Sequence, residues 1–145
     1  NSRVAKFYNK YFFLITRDFE SNHLTGASYI FFSSCIVIWL FPLSISIPSL
    51  LIMSISDSMA AIIGQKYGKI SFFKKTLEGS IAFFLSSIII ILSFKMQLFP
   101  AILSVFISTL VESSSFLNID DNLSVPLSFA ITYSLLYNFI NSGIV

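Results

Sequence analysis

The sequence predicts an all-α fold, a polytopic membrane helix bundle of about five transmembrane helices, and three observations lead to it. Of the 145 residues, 55% are hydrophobic and only 11% are charged, with a mean hydropathy of +0.84, well outside the range of soluble globular domains. The apolar residues gather into runs that approach the ~20 residues needed to cross about 30 Å of hydrocarbon. The charged residues fall almost entirely in the breaks between those runs. Serines scattered through the apolar runs, with 17 phenylalanines against one tryptophan, suit helices packed in lipid whose hydroxyls bond locally or to a neighbouring helix. A single cysteine, Cys35, excludes an intrachain disulfide and a cysteine-cluster metal site. The formal net charge of +2 carries little information, and no nucleic-acid partner is expected.

Taken in order, residues 1–23 are basic, with Arg3, Lys6, Lys10 and Arg17 around the short apolar stretch Tyr11 to Ile15. That stretch reads as an interfacial segment or the tail of an earlier helix. His23, at the edge of the first span, reads as an interfacial hydrogen-bonding residue, because no second histidine exists to share a metal. The first span is expected over Leu24 to Phe41, stopped by Pro42. The second runs from Leu43 to Ile63, with Asp57 near its far end, and residues 64–78 form a basic loop carrying Lys66, Lys69, Lys74 and Lys75. The third covers Gly79 to Phe94 and is closed by Lys95-Met96-Gln97. The fourth covers Leu98 to Val111, ending at Glu112, and a polar segment from Ser113 to Asn122 leads to the fifth, Ser124 to Ile140. Residues 1–145 read as a single integral membrane domain.

Cationic loops stay cytoplasmic, which sets the orientation of this multi-pass chain. Two spans separate the basic N-terminal segment from the lysine loop, so both lie inside together. Counting onward places the Glu112 to Asn122 segment on that same side and the Lys95 turn outside. All seven acidic residues and eight of the nine basic ones then share one face, Lys95 being the exception. The active face is therefore expected to be cytoplasmic, in a bacterial inner membrane or the endoplasmic reticulum.

The stretch from Asp57 to Lys69 is the centre of the functional reading. A carboxylate two turns inside an apolar helix is costly in hydrocarbon and marks a functional site by default. The glycines and lysines that follow it have the chemistry of a phosphate cradle, with close backbone approach and neutralising charge. Asp57, Glu78, Glu112, Asp120 and Asp121 reach one face from different helix ends, and hard oxygen ligands of this kind suit Mg²⁺ shared with substrate phosphates. The segment Gly64 to Ser71 is not a P-loop, since its glycine spacing is one residue short and Ile70 follows the lysine. Lys75-Thr76-Leu77-Glu78-Gly79-Ser80 repeats the same chemistry at a helix start, where free amides receive anions.

Four ordered elements carry a family resemblance. They are His23-Leu24-Thr25-Gly26-Ala27-Ser28-Tyr29; Asp57-Ser58 with Ala60, Gly64, Gly68 and Lys69; Lys75-Thr76 with Glu78-Gly79-Ser80; and Glu112 followed by Asp120-Asp121-Asn122-Leu123 with Val125-Pro126. Over about residues 17–130 the chain resembles the CTP-dependent polyprenol and diacylglycerol kinases, a group that includes dolichol kinase and phytol kinase and lies near the phosphatidate cytidylyltransferases. The resemblance implies CTP as co-substrate, Mg²⁺ or another divalent cation, and a membrane lipid alcohol as acceptor. It also implies that Asp57 and Gly64 are essential. The family's Arg-Lys pair followed by His on an earlier helix is absent, so the chain is expected to lack N-terminal helices of the full family fold.

On this reading Asp57, Asp120 and Asp121 hold the metal, and Asp57, Glu112, Asp120 and Asp121 form the catalytic group. Gly64, Lys66, Gly68, Lys69, Lys75, Thr76, Glu78 and Gly79 receive the nucleotide. Two other classes stand beside it: a phosphatidate cytidylyltransferase, which would attack the α-phosphate, and a non-catalytic membrane fragment or transporter. The missing His-Gly-Gly signature disfavours the former. Charges gathered at one face, and not along a midplane path, disfavour transport.

Overall fold

The computed structural model describes residues 26–114 and 120–143. The expectations for the basic N-terminal segment, for His23 and for the first residues of the resemblance fall outside them. The described chain is all-helical apart from one two-stranded hairpin. Helix α1 is Gly26–Leu40, α2 is Leu43–Tyr67, α3 is Leu77–Ser93, α4 is Leu98–Ser114 and α5 is Asp121–Ser142. The hairpin pairs β1, Ser71–Phe72, with β2, Lys75–Thr76, antiparallel.

Each break has a local cause. Pro42 ends α1 and opens α2, and the hydroxyl of Ser46 donates across this break to the carbonyls of Val37 and Phe41, both at 3.0 Å. Helix α2 contains a π-helical turn at Ile52–Ser56, directly before Asp57. Such a turn inserts an extra residue and re-aims everything after it. Thr76 caps α3 by accepting from the Gly79 amide at 3.3 Å. Asp120 caps α5, its carboxylate accepting from the Asn122 amide at 2.9 Å.

Helix α5 packs on α1, α2 and α4, while α3 packs between α2 and α4. The core they enclose contains Ile52, Phe83, Ile91, Val105 and Phe129. The bundle buries many hydroxyls alongside this apolar core and turns large apolar side chains outward. Ser33, Ser46, Ser49, Ser56, Ser87, Ser104 and Ser108 are fully buried, while Phe31, Trp39, Ile89, Phe99 and Phe139 face outward. These hydroxyls find partners inside the bundle, Ser49 donating to the Pro126 carbonyl at 2.6 Å and Ser87 to Ser56 at 2.9 Å, whereas the buried Ser80 hydroxyl has none among the described residues.

Two helices, α2 with 25 residues and α5 with 22, are long and apolar enough to cross a membrane. The other three are apolar but hold 15 to 17 residues. At about 1.5 Å per residue, even 17 residues rise only ~25 Å. The structure also redraws the expected loop at 64–78. Helix α2 continues through Gly64 to Tyr67, since no residue there stops it, and the hairpin occupies most of the remainder.

Candidate functional site: a lysine held by three carboxylates

Lys75 stands at the focus of the site. Its ammonium lies 2.7 Å from Glu112 Oε1, 2.8 Å from Asp121 Oδ2 and 3.5 Å from Asp57 Oδ1. The fold brings these groups from four elements. Strand β2 carries Lys75, and the Lys74 amide donates to the Ser113 carbonyl at 3.2 Å, pinning the hairpin against the end of α4 beside Glu112. The π-turn precedes Asp57, and the first turn of α5 supplies Asp121. Burial opposes the charge on Lys75, but its hydrogen bonds to Asp121 and Glu112, with their negative charge, outweigh that and hold its pKa above the usual lysine value. Lys75 is thus an ammonium throughout the physiological range.

Glu112 is fully buried, and its second oxygen, Oε2, has no hydrogen-bond partner among the described residues. Buried acceptors are nearly always satisfied, so this oxygen stands ready to accept a proton or a hydrogen bond. Glu112 lines a cavity of about 250 Å³ together with Asp57, Gly64, Gln65, Lys75 and Gly79. If all three carboxylates are ionised, the cluster carries two more negative than positive charges.

The two glycines serve helix packing. A Cβ on Gly79 would lie 2.9 Å from the Ala60 carbonyl oxygen and 3.4 Å from Gly64 Cα, and one on Gly64 would lie 2.8 Å from Thr76 Oγ1. They allow α2 and α3 to cross closely under the cavity, where sequence alone suggested a cradle for phosphate. Gly79→Ala is therefore expected to destabilise the purified protein by about 1–3 kcal/mol, because the obstructing atoms are backbone. A melting curve unchanged from wild type would show that the crossing has slack.

Other expected site residues sit apart from the cluster. Asp120 makes no ion pair with Lys75 and uses Oδ1 for its helix cap, although its charge still reaches Asp57. Glu78 accepts from the amides of Lys69, at 3.0 Å, and Ile70, at 3.4 Å, so it shapes the turn after α2. Gly68 packs against Thr76. Lys66 is exposed with its ammonium 5.2 Å from the Tyr67 ring centroid, and Lys69 is also exposed. Neither lines the cavity. Conversely, Gln65 lines it and no sequence signal singled that residue out.

A divalent cation fits this set only in part. Among the described residues no three His, Cys, Asp or Glu side chains are arranged as a metal cage. Mg²⁺ is commonly held by one or two carboxylates with substrate phosphates completing the shell, and Asp57 and Asp121, both partly exposed, meet that lesser requirement.

No family model matches the chain, and no solved structure matches it. Two curated proteins are similar in sequence. The "Uncharacterized protein MJ1137" of Methanocaldococcus jannaschii is 38% identical over 100 residues, covering 63% of this chain and 51% of that protein. The "Uncharacterized protein RP860" of Rickettsia prowazekii is 34% identical over 145 residues, covering 93% of this chain and 71% of that protein. With that identity sustained over so much of both sequences, the chain belongs to the same family as the Rickettsia prowazekii protein RP860.

Proposed function

We propose that the chain is a CTP-dependent lipid kinase that transfers a phosphoryl group to a membrane lipid alcohol such as diacylglycerol, a polyprenol or phytol. The observation that carries this reading is convergence. Three of the four sequence elements of the kinase resemblance supply Asp57, Lys75, Glu112 and Asp121, and these meet at one ammonium beside one cavity. The same reading makes the chain a multi-pass protein whose five helices lie in the bilayer with the cluster at the cytoplasmic face. Buried serines and outward phenylalanines support it, because lipid offers apolar side chains the environment that water denies them.

Phosphoryl transfer asks mainly for positioning and charge neutralisation. Mg²⁺, when bound, would be held by Asp57 and Asp121 and would neutralise phosphate oxygens of CTP. Lys75, its three N–H groups turned to the three carboxylates, offsets their charge as the phosphates approach. Lys66 and Lys69, exposed beside Gln65, attract the nucleotide at longer range. The acceptor hydroxyl oxygen attacks the γ-phosphorus, its proton passes to the free Oε2 of Glu112, the bond from the γ-phosphorus to the bridging oxygen breaks, and CDP leaves.

A cysteine at the cavity wall tests nucleotide occupancy. In a Cys35→Ser background, Gln65→Cys is expected to react with a maleimide severalfold more slowly when CTP and Mg²⁺ are present than with Mg²⁺ alone. Equal rates would remove the nucleotide from this cavity.

A further inference from the structure

A second cavity, of about 680 Å³, opens at the other end of the bundle. Helices α3 and α5 begin at the carboxylate cluster, the turn after α3 (Phe94 to Gln97) and the C-terminal half of α5 line this cavity, and so the two sites lie at opposite ends. Its wall is polar and aromatic. Tyr133 and Tyr137 stack with ring centroids 5.7 Å apart, and Gln97, Asn138 and Asn141 bring side-chain amides. Lys95 is the charged residue lining it, and no carboxylate does so among the described residues.

The backbone at Lys95 makes that lysine informative. The Lys95 amide donates to the Leu92 carbonyl at 3.0 Å and the Met96 amide to the Ile91 carbonyl at 3.1 Å, which is the Schellman closure of α3. Lys95 occupies its left-handed position with φ 50°, where glycine carries no steric penalty. Helix termination alone would favour glycine here. A lysine instead puts a cationic residue in the wall of a cavity that is otherwise neutral and rich in hydrogen-bond donors. It is also the cation that charge counting left isolated from all the others.

We propose that this cavity binds a phosphoester anion bearing a hydroxylated headgroup, with Lys95 as the charge partner and the amides of Gln97 and Asn138 as additional donors. The ligand is either a lipid headgroup or a free polyol phosphate. The lipid source rests on the membrane-spanning reading, and the free source does not. Reading the site needs no turnover, so it is independent of the kinase proposal.

The test is thermal unfolding of the full chain in nanodiscs of phosphatidylcholine alone, of an equimolar mixture with phosphatidylglycerol, or of phosphatidylcholine with glycerol 3-phosphate added. Wild type is expected to melt higher in at least one anionic condition. Lys95→Gly should remove most of that shift while melting no lower than wild type in phosphatidylcholine, because glycine suits the left-handed position. In titrations its apparent affinity should fall by about tenfold or more, the scale of one charge-assisted hydrogen bond. Asn138→Leu, which keeps the lysine, should also reduce the shift. A response to phosphatidylglycerol only assigns the lipid source; a response to glycerol 3-phosphate assigns the free one. No shift with either probe, or an equal shift in both variants, would overturn the proposal.

Discussion

Lys75→Met is expected to destabilise the protein by about 3–5 kcal/mol, the usual cost of removing one partner from a buried ion pair. Glu112 is fully buried and makes its described side-chain hydrogen bond to this ammonium at 2.7 Å, so without it a carboxylate is left uncompensated beside Asp57 and Asp121. The desolvation is already incurred in the fold, and the attraction that offsets it is lost. Pairing the change with Glu112→Leu should recover more than half the loss, because the stranded buried charge is then absent. Thermal unfolding in detergent compares the three proteins. A single variant as stable as wild type would mean that the carboxylates do not need the lysine, and would remove it from the centre of the site.

Asp57→Asn should behave in the opposite way. Of the three carboxylates around Lys75 it makes the longest contact, at 3.5 Å, and it is about one-third exposed, so a neutral isostere is expected to fold and reach the membrane as wild type does. Phosphoryl transfer should nevertheless fall by about 10²–10³-fold, the scale seen when one group stabilising transition-state charge is removed. Activity is read by lipid phosphorylation and folding by melting temperature. Retained turnover would move the metal-binding role to another residue, and loss of folding would make Asp57 structural.

The helical class was legible because hydropathy and the breaks at Pro42 and Lys95 depend only on local chemistry. Asp57, Lys75 and Glu112 were legible as candidates because charge next to an apolar run is conspicuous. Their convergence was not, since it depends on a π-turn with no sequence signature and on a backbone hydrogen bond from Lys74 to Ser113. Asp120 and Asp121 look equivalent in sequence. In the structure one caps α5 and the other meets Lys75, because Asp120 is the extended N-cap residue whose carboxylate turns back to the Asn122 amide, while Asp121 is already in the first helical turn. Gly64 and Gly79 suggested phosphate because lysines lie nearby; both line the cavity, and their packing role was not legible because the atoms that crowd them belong to the facing helix and to Thr76. The expected third and fourth spans were drawn from hydropathy and so stop where charge begins; the helices run longer, over Leu77–Ser93 and Leu98–Ser114, because a helix continues through Glu78 and Glu112 as readily as through apolar residues.

The central claim is that this cluster moves a γ-phosphoryl group onto a lipid, and isotopic transfer measures that directly. Membranes containing the protein, supplied with total lipid extract and Mg²⁺, should carry label into the organic phase from CTP labelled at the γ-phosphate and release CDP, while label at the α-phosphate stays in the aqueous nucleotide. Organic-phase label from the α-position alone, with pyrophosphate released, would contradict the kinase and make the chain a cytidylyltransferase; label from neither position would contradict both.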